Sequence, residues 1–139
     1  MISKALSVRA PWWWFILHGK DIENRSLSFA PRYRGPVWLH AGKWWEPDEV
    51  QEDYADGLRM AEAHGLVLPE PDWDQMRAAG GCVVGSVRID GYTEQDDSPW
   101  FLGPLGLKLS CPVPLECPVP LRGYLGLFNV LPGIISDGV

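Results

Sequence analysis

The six residues from Trp12 to Leu17 are all apolar, and no charge interrupts them. Pro11 suits the first turn of a helix, because its fixed φ is already helical and its missing N–H is not needed there. Gly19, just past Leu17, supplies the stop. Trp12, Phe15, Ile16 and Gly19 then share one side, while Trp13 and Leu17 take another. A helix apolar almost all round has no face to give to water, so the rest of the chain must wrap it. With 139 residues, 46% of them hydrophobic and 22% charged, the chain has enough apolar material to do so within one domain. It shows no repeat, low-complexity tract or linker. No apolar run approaches the roughly 18 residues of a membrane-spanning helix. The stretch Ala10–Leu17 also lacks the small-residue cleavage site of a signal peptide.

Around that helix the periodicities alternate. Ala5-Leu6-Ser7-Val8 reads as a short opening strand. From Pro36 to Ala41, Val37, Leu39 and Ala41 fall on one face and Trp38 and His40 on the other, the period of a strand. Glu46 to His64 reads as the longest helix. Pro47 enters it, Asp48 and Glu49 suit the positive end of its dipole, and Gly65 ends it. Its expected buried stripe is Val50, Tyr54, Leu58 and Ala61, with acids facing solvent. A short helix follows at residues 72–79, closed by Gly80-Gly81, and both helices are expected to cover the core. Cys82 to Ile89 is the clearest strand, bounded by glycine and rich in β-branched residues. A polar, acidic loop is expected from Asp90 to Trp100. Pro112, Pro114, Pro118 and Pro120 predict short or edge strands, and Gly123 to Val130 a last strand. Short strands with a few helices and no βαβ rhythm predict an α+β fold, a small β-barrel with peripheral helices.

The net charge of −6 at first argues against a nucleic-acid partner, since attraction to phosphate is the sequence-independent part of such binding. The distribution matters more. Residues 1–43 carry seven basic side chains against two acids, and the remainder five against sixteen. A positive segment on an acidic body can focus an anionic ligand, although loops also carry solvated charges of no consequence. The three cysteines, Cys82, Cys111 and Cys117, form no CxxC pair, which predicts reduced thiols in a cytoplasmic protein. His18, His40 and His64 are scattered, so neither a metal nor another cofactor is expected.

The informative chemistry follows the helix stop. Lys20, Glu23 and Arg25 lie where side chains can converge on a shared space. Lysine offers a point charge, arginine a planar fork suited to phosphate or a base edge, and the carboxylate can hold both or accept a proton. The competing reading is a surface ion-pair cluster, worth little stability. The run Ser7-Val8-Arg9-Ala10-Pro11-Trp12, then Gly19-Lys20-Asp21-Ile22-Glu23-Asn24-Arg25-Ser26, Arg34-Gly35-Pro36 and His40-Ala41-Gly42-Lys43 resembles the ASCH domain family, which shares the PUA-like β-barrel. The family pattern is roughly G-x-K-x-x-E-x-R; here Gly19 directly precedes the lysine, one residue closer. Val84-Gly85-Ser86-Val87, Ser98-Pro99-Trp100-Phe101 and Arg122-Gly123-Tyr124-Leu125-Gly126-Leu127-Phe128 extend the likeness over nearly the whole chain. An acidic helical insert at about residues 45–80 fits least.

The resemblance implies a cleft between barrel and helices that binds RNA, single-stranded nucleic acid or a modified nucleoside. It also implies possible chemistry, because some relatives hydrolyse N4-acetylcytidine and one is described as a ribonuclease. Such catalysis would fall to Lys20 and Glu23, with Ser26 as the nearby hydroxyl. Glu23 stands where the hydrolases carry threonine, and a carboxylate there could act as a base for water. Expected binding residues are Arg9, Lys20, Glu23, Arg25, Arg34, His40, Lys43, Trp100 and Phe101. Eight tryptophans are more than a small core needs, and a base stacked on one gains roughly 1–3 kcal/mol. Trp100-Phe101 is the pair expected to be exposed, then Trp44-Trp45, with Trp12 to Trp14 in the core. Exposed tryptophans could equally bind a peptide or a second copy of a protein that is otherwise a monomer or weak dimer. His40 reads as a hydrogen-bonded structural histidine that also faces the cleft, and Arg32 and Arg34 as phosphate grips or solvated charges.

Overall fold

The computed structural model describes residues 1–29 and 32–135. Along the chain run β1 (Lys4–Val8), α1 (Trp12–Leu17), β2 (Ile22–Arg25), β3 (Gly35–Ala41), α2 (Pro47–Ala63), α3 (Trp73–Ala78), β4 (Cys82–Thr93), β5 (Leu105–Pro120) and β6 (Leu127–Asn129). Among the described residues the strands form one six-stranded sheet in the order β2-β5-β4-β3-β1-β6. β1 and β3 are parallel, and every other neighbouring pair is antiparallel. The sheet curls into a half-barrel, so that Arg25 on β2 reaches the Ser7 carbonyl on β1 at 2.8 Å. The fold is therefore a mixed α+β single domain, as the alternating periods predict.

The apolar helix is buried as its composition requires. Trp13, Trp14, Phe15 and Ile16 lie in the main core with Leu6, Val37, Leu39, Val84 and Leu107. The alternation along β3 sends Val37, Leu39 and Ala41 into that core and Trp38 into a second, smaller one with Ala5, Val83 and Val130. Glu46 caps α2 by accepting from the Glu49 amide, and Asp72 caps α3 in the same way through Gln75. Each cap satisfies a donor that the first helical turn leaves free.

The buried stripe of α2 differs from expectation at one position. Leu58 is 39% exposed, and Gly57 faces the core with Val50 and Ala61. A Cβ on Gly57 would lie 2.2 Å from the Phe15 ring. The missing side chain thus lets α2 approach α1 closely and rotates Leu58 outward.

The tail also differs. It forms one strand of 16 residues, β5, followed by an irregular segment and only three residues of β6. β2 pairs with β5 only over Leu105–Lys108, so the rest of β5 has β4 on one side alone. All four prolines fall in that edge portion, where a missing N–H costs least.

Candidate functional site

A cleft of about 1620 Å³ opens where β1, β2 and β3 meet α2 and the segment after β5. The deepest charged group is the motif after α1. Lys20 is 4% exposed and Glu23 is likewise buried. The Lys20 Nζ donates to Glu23 Oε1 at 2.9 Å and to the Ile22 carbonyl. Arg25 Nη2 meets Glu23 Oε2 at 3.0 Å and also donates to the Ser7 carbonyl. Strand alternation explains the convergence, since Glu23 and Arg25 are two apart on β2 and so share a face. The turn through Gly19, which has φ 118°, brings Lys20 beneath them. Lys20 and Glu23 are buried and Arg25 is half-buried, so the cluster is not a solvated surface pair.

The electrostatics set what the triad can do. Burial alone would raise the Glu23 carboxyl, but the charges of Lys20 and Arg25 and their hydrogen bonds outweigh it and hold the group below its ordinary value. A carboxylate engaged on both oxygens and kept ionised holds cations well and takes protons poorly. Ser26, the candidate hydroxyl, is exposed, pairs with the Ser28 hydroxyl and does not line the cleft.

The walls carry further charge. Arg9 pairs with Asp53 of α2 at 3.1 Å and lies over the Trp44 ring, 4.6 Å from its centroid. Lys20 lies 5.6 Å from the Trp12 centroid, and Arg122 lies 5.4 Å from that of Tyr124. His40 is buried at the cleft, and its Nε2 is 2.7 Å from the Leu121 carbonyl. A carbonyl only accepts, so Nε2 carries the proton there. Gly123 packs on the same ring, and a Cβ there would come within 2.2 Å of it. His40 thus fixes the segment after β5 as a cleft wall, the structural role its place on β3 suggests.

Arg9, Lys20, Glu23, Arg25, His40 and Lys43 all line the cleft. Other expected residues do not. Arg34 lies over Tyr92, 5.7 Å from its centroid, and Arg32 is beside the same ring, which leaves both outside the lining. Trp100 is a clear correction. It is 0% exposed, 5.5 Å from Phe15, and its indole donates to His64 Nδ1 at 2.8 Å. The polar loop folds the ring inward because Asn24 grips its backbone, donating to the Trp100 carbonyl and accepting from the Leu102 and Gly103 amides. Phe101 is half-buried against the core, and Leu102 reaches the cleft instead. Of the second expected pair, Trp44 is exposed at 37% and lines the cleft.

Sequence reasoning missed Asp53, Asp56 and Met60, which α2 turns toward the cleft, and Arg122, Tyr124 and Leu125 beyond β5. The acids look like an ordinary solvent face. The later residues look like strand. Among the described residues no three His, Cys, Asp or Glu side chains gather as a metal-binding set, and no helix is long and apolar enough to cross a membrane. The chain matches no protein-family model, and no curated protein is similar enough to count as a relative.

Proposed function

We propose that the cleft binds RNA or a modified nucleoside, with Lys20, Glu23 and Arg25 at its floor. One observation carries this: the lining holds five cations, Arg9, Lys20, Arg25, Lys43 and Arg122, against three carboxylates, Glu23, Asp53 and Asp56, on a chain of net charge −6. A local positive field on an acidic body draws an anionic ligand to one place. The exposed Trp44 and Tyr124 rings beside those cations add flat apolar surfaces of the kind on which unpaired bases stack. A half-barrel with helices beside it is also what an ASCH-type, PUA-like domain would show. Membership in that family is part of the proposal, as is a cytoplasmic setting for its unbridged cysteines.

The test is fluorescence anisotropy with short single-stranded RNA, comparing wild type with Arg9→Gln/Trp44→Ala. Both positions are at the surface, so the fold should persist. Affinity is expected to fall about tenfold, since stacking alone contributes roughly 1–3 kcal/mol. Wild-type affinity should also drop steeply with added salt as counterions are released. Unchanged affinity in the double variant refutes the proposal.

A further inference from the structure

Charge pairing inside the cleft is uneven. Glu23 is held by Lys20 and Arg25, Asp53 by Arg9, and Asp56 by Arg59. Every carboxylate of the lining therefore has its cation. Among the described residues, Lys43 and Arg122 are the two lining cations that lie within 4 Å of no carboxylate and hydrogen-bond to no side chain. They come from segments far apart in sequence that meet at one glycine. The Lys43 stem lies across Gly81, where a Cβ would be 2.9 Å from its Cε. The Gly81 carbonyl accepts from the Leu121 amide at 3.1 Å, directly before Arg122. The Gly81 amide is tied in turn to the Ala41 carbonyl at 2.8 Å, two residues before Lys43. Gly81 has φ 86°, a conformation that suits glycine.

Resting on the nucleic-acid reading of the cleft, we infer that Lys43 and Arg122 form a phosphate subsite, so that the ligand is a phosphate-bearing nucleotide or strand and not a free nucleoside. An unpaired ammonium and an unpaired guanidinium, carried by exposed side chains of segments joined at one backbone junction, present donors without the competing carboxylate that occupies the other cations. Arg122 is also held over Tyr124, which leaves a ring beside the phosphate position for an attached base.

The experiment measures binding of the four ribonucleosides, their 5′- and 3′-monophosphates, the matching dinucleotides and inorganic phosphate by calorimetry. It uses wild type and Lys43→Gln/Arg122→Gln, which keep the stems and lose the charges. Expected is a gain of about tenfold from nucleoside to monophosphate or dinucleotide, since hydrogen bonds between charged partners are stronger than neutral ones. That gain should vanish in the double variant, which should bind nucleosides and their monophosphates equally. A monophosphate gain without a further one in the dinucleotide assigns the subsite to a terminal phosphate; the reverse assigns it to a linking one. Equal binding of nucleosides and monophosphates to wild type overturns the subsite and leaves the nucleoside-binding cleft standing. No binding of any nucleoside, nucleotide or oligonucleotide overturns both.

Discussion

On the side of the sheet under α1 and α2, aromatic rings meet other aromatic rings; in the cleft they meet cations. Trp14 and Phe15 are 5.2 Å apart, Phe15 and Tyr54 5.7 Å, Tyr54 and Trp73 4.7 Å, and Phe15 and Trp100 5.5 Å. In the cleft, Trp44 faces Arg9, Trp12 faces Lys20, and Tyr124 faces Arg122. Trp12 belongs to both, because its ring is also 5.7 Å from Phe15, and Tyr124 likewise has the Phe128 ring 5.6 Å away. The same residue type thus serves as core filling or as an exposed platform. What decides is the neighbour that another segment supplies, not the tryptophan. Substitutions on the first side should cost stability and spare the ligand site, whereas those at the rim of the second should do the reverse.

The strongest test on the packed side is Trp100→Ala. It removes a fully buried ring and leaves His64 Nδ1 without its donor. A loss of about 4 kcal/mol in urea unfolding is expected. A loss below 1 kcal/mol would mean the ring spends its time outside, and the division between the two regions would fail at its clearest point.

Glu23→Gln comes next and tests where the division runs. The triad faces the cleft, yet Lys20 and Glu23 are as buried as the core. Losing the carboxylate leaves Lys20 buried without a counter-charge, at an expected cost of about 3 kcal/mol. Lys20→Met/Glu23→Gln should recover part of that loss, because the charge left in the low-dielectric site is then only the partly exposed Arg25. The floor of the cleft therefore behaves as core in stability measurements and as a site in binding. Equal losses in the single and double variants would show that the charge pairing contributes nothing.

Gly57→Ala tests the close approach that separates the regions. A Cβ there meets the Phe15 ring at 2.2 Å, so α2 must shift. Alanine is the better helix former, but the clash should win by about 1–2 kcal/mol net. Since α2 also carries Asp53 and Asp56 into the cleft, the variant should disturb ligand binding as well. It is the one packing substitution expected to cross between regions.

Acid gives a smaller effect with a definite sign. The folded Glu23 carboxyl lies below its ordinary value of 4.5, so its contribution is fully present above that pH and is lost as pH falls through the lowered folded value. The melting-temperature difference between wild type and Glu23→Gln should stay constant near neutrality and shrink below pH 4.5. A difference that grows on acidification would contradict the assigned pairing.

Much of this division was legible in local pattern. α1 follows from unbroken apolarity, β3 from its alternation, and α2 and α3 from Pro47 and Asp72 at their entries and the glycines at their ends. The motif Lys20, Glu23 and Arg25 was legible as chemistry. The illegible parts depend on distant partners. Trp100 turns inward because of Asn24, 76 residues away, and His64, 36 away. No reading of Ser98-Pro99-Trp100-Phe101 contains either of them. Asp53 looks solvated until Gly57 sets the rotation of α2. Arg122 and Tyr124 look like strand until His40 and Gly81 hold that segment as a wall.

The smallest expected change in stability belongs to Trp44→Ala, and it sharpens the contrast most. Trp44 lines the cleft, and a guanidinium, itself paired to Asp53, lies against its ring. Removing an exposed side chain away from buried polar groups should alter unfolding free energy by less than about 0.5 kcal/mol. If the ring is a platform, RNA affinity should nonetheless fall, with stacking of a base contributing roughly 1–3 kcal/mol. Trp100→Ala and Trp44→Ala would then form a crossed pair, one lowering stability, the other affinity, from the same substitution of the same residue type. A Trp44 variant that loses stability like Trp100→Ala and keeps its affinity would place that ring with the core and remove the platform from the cleft.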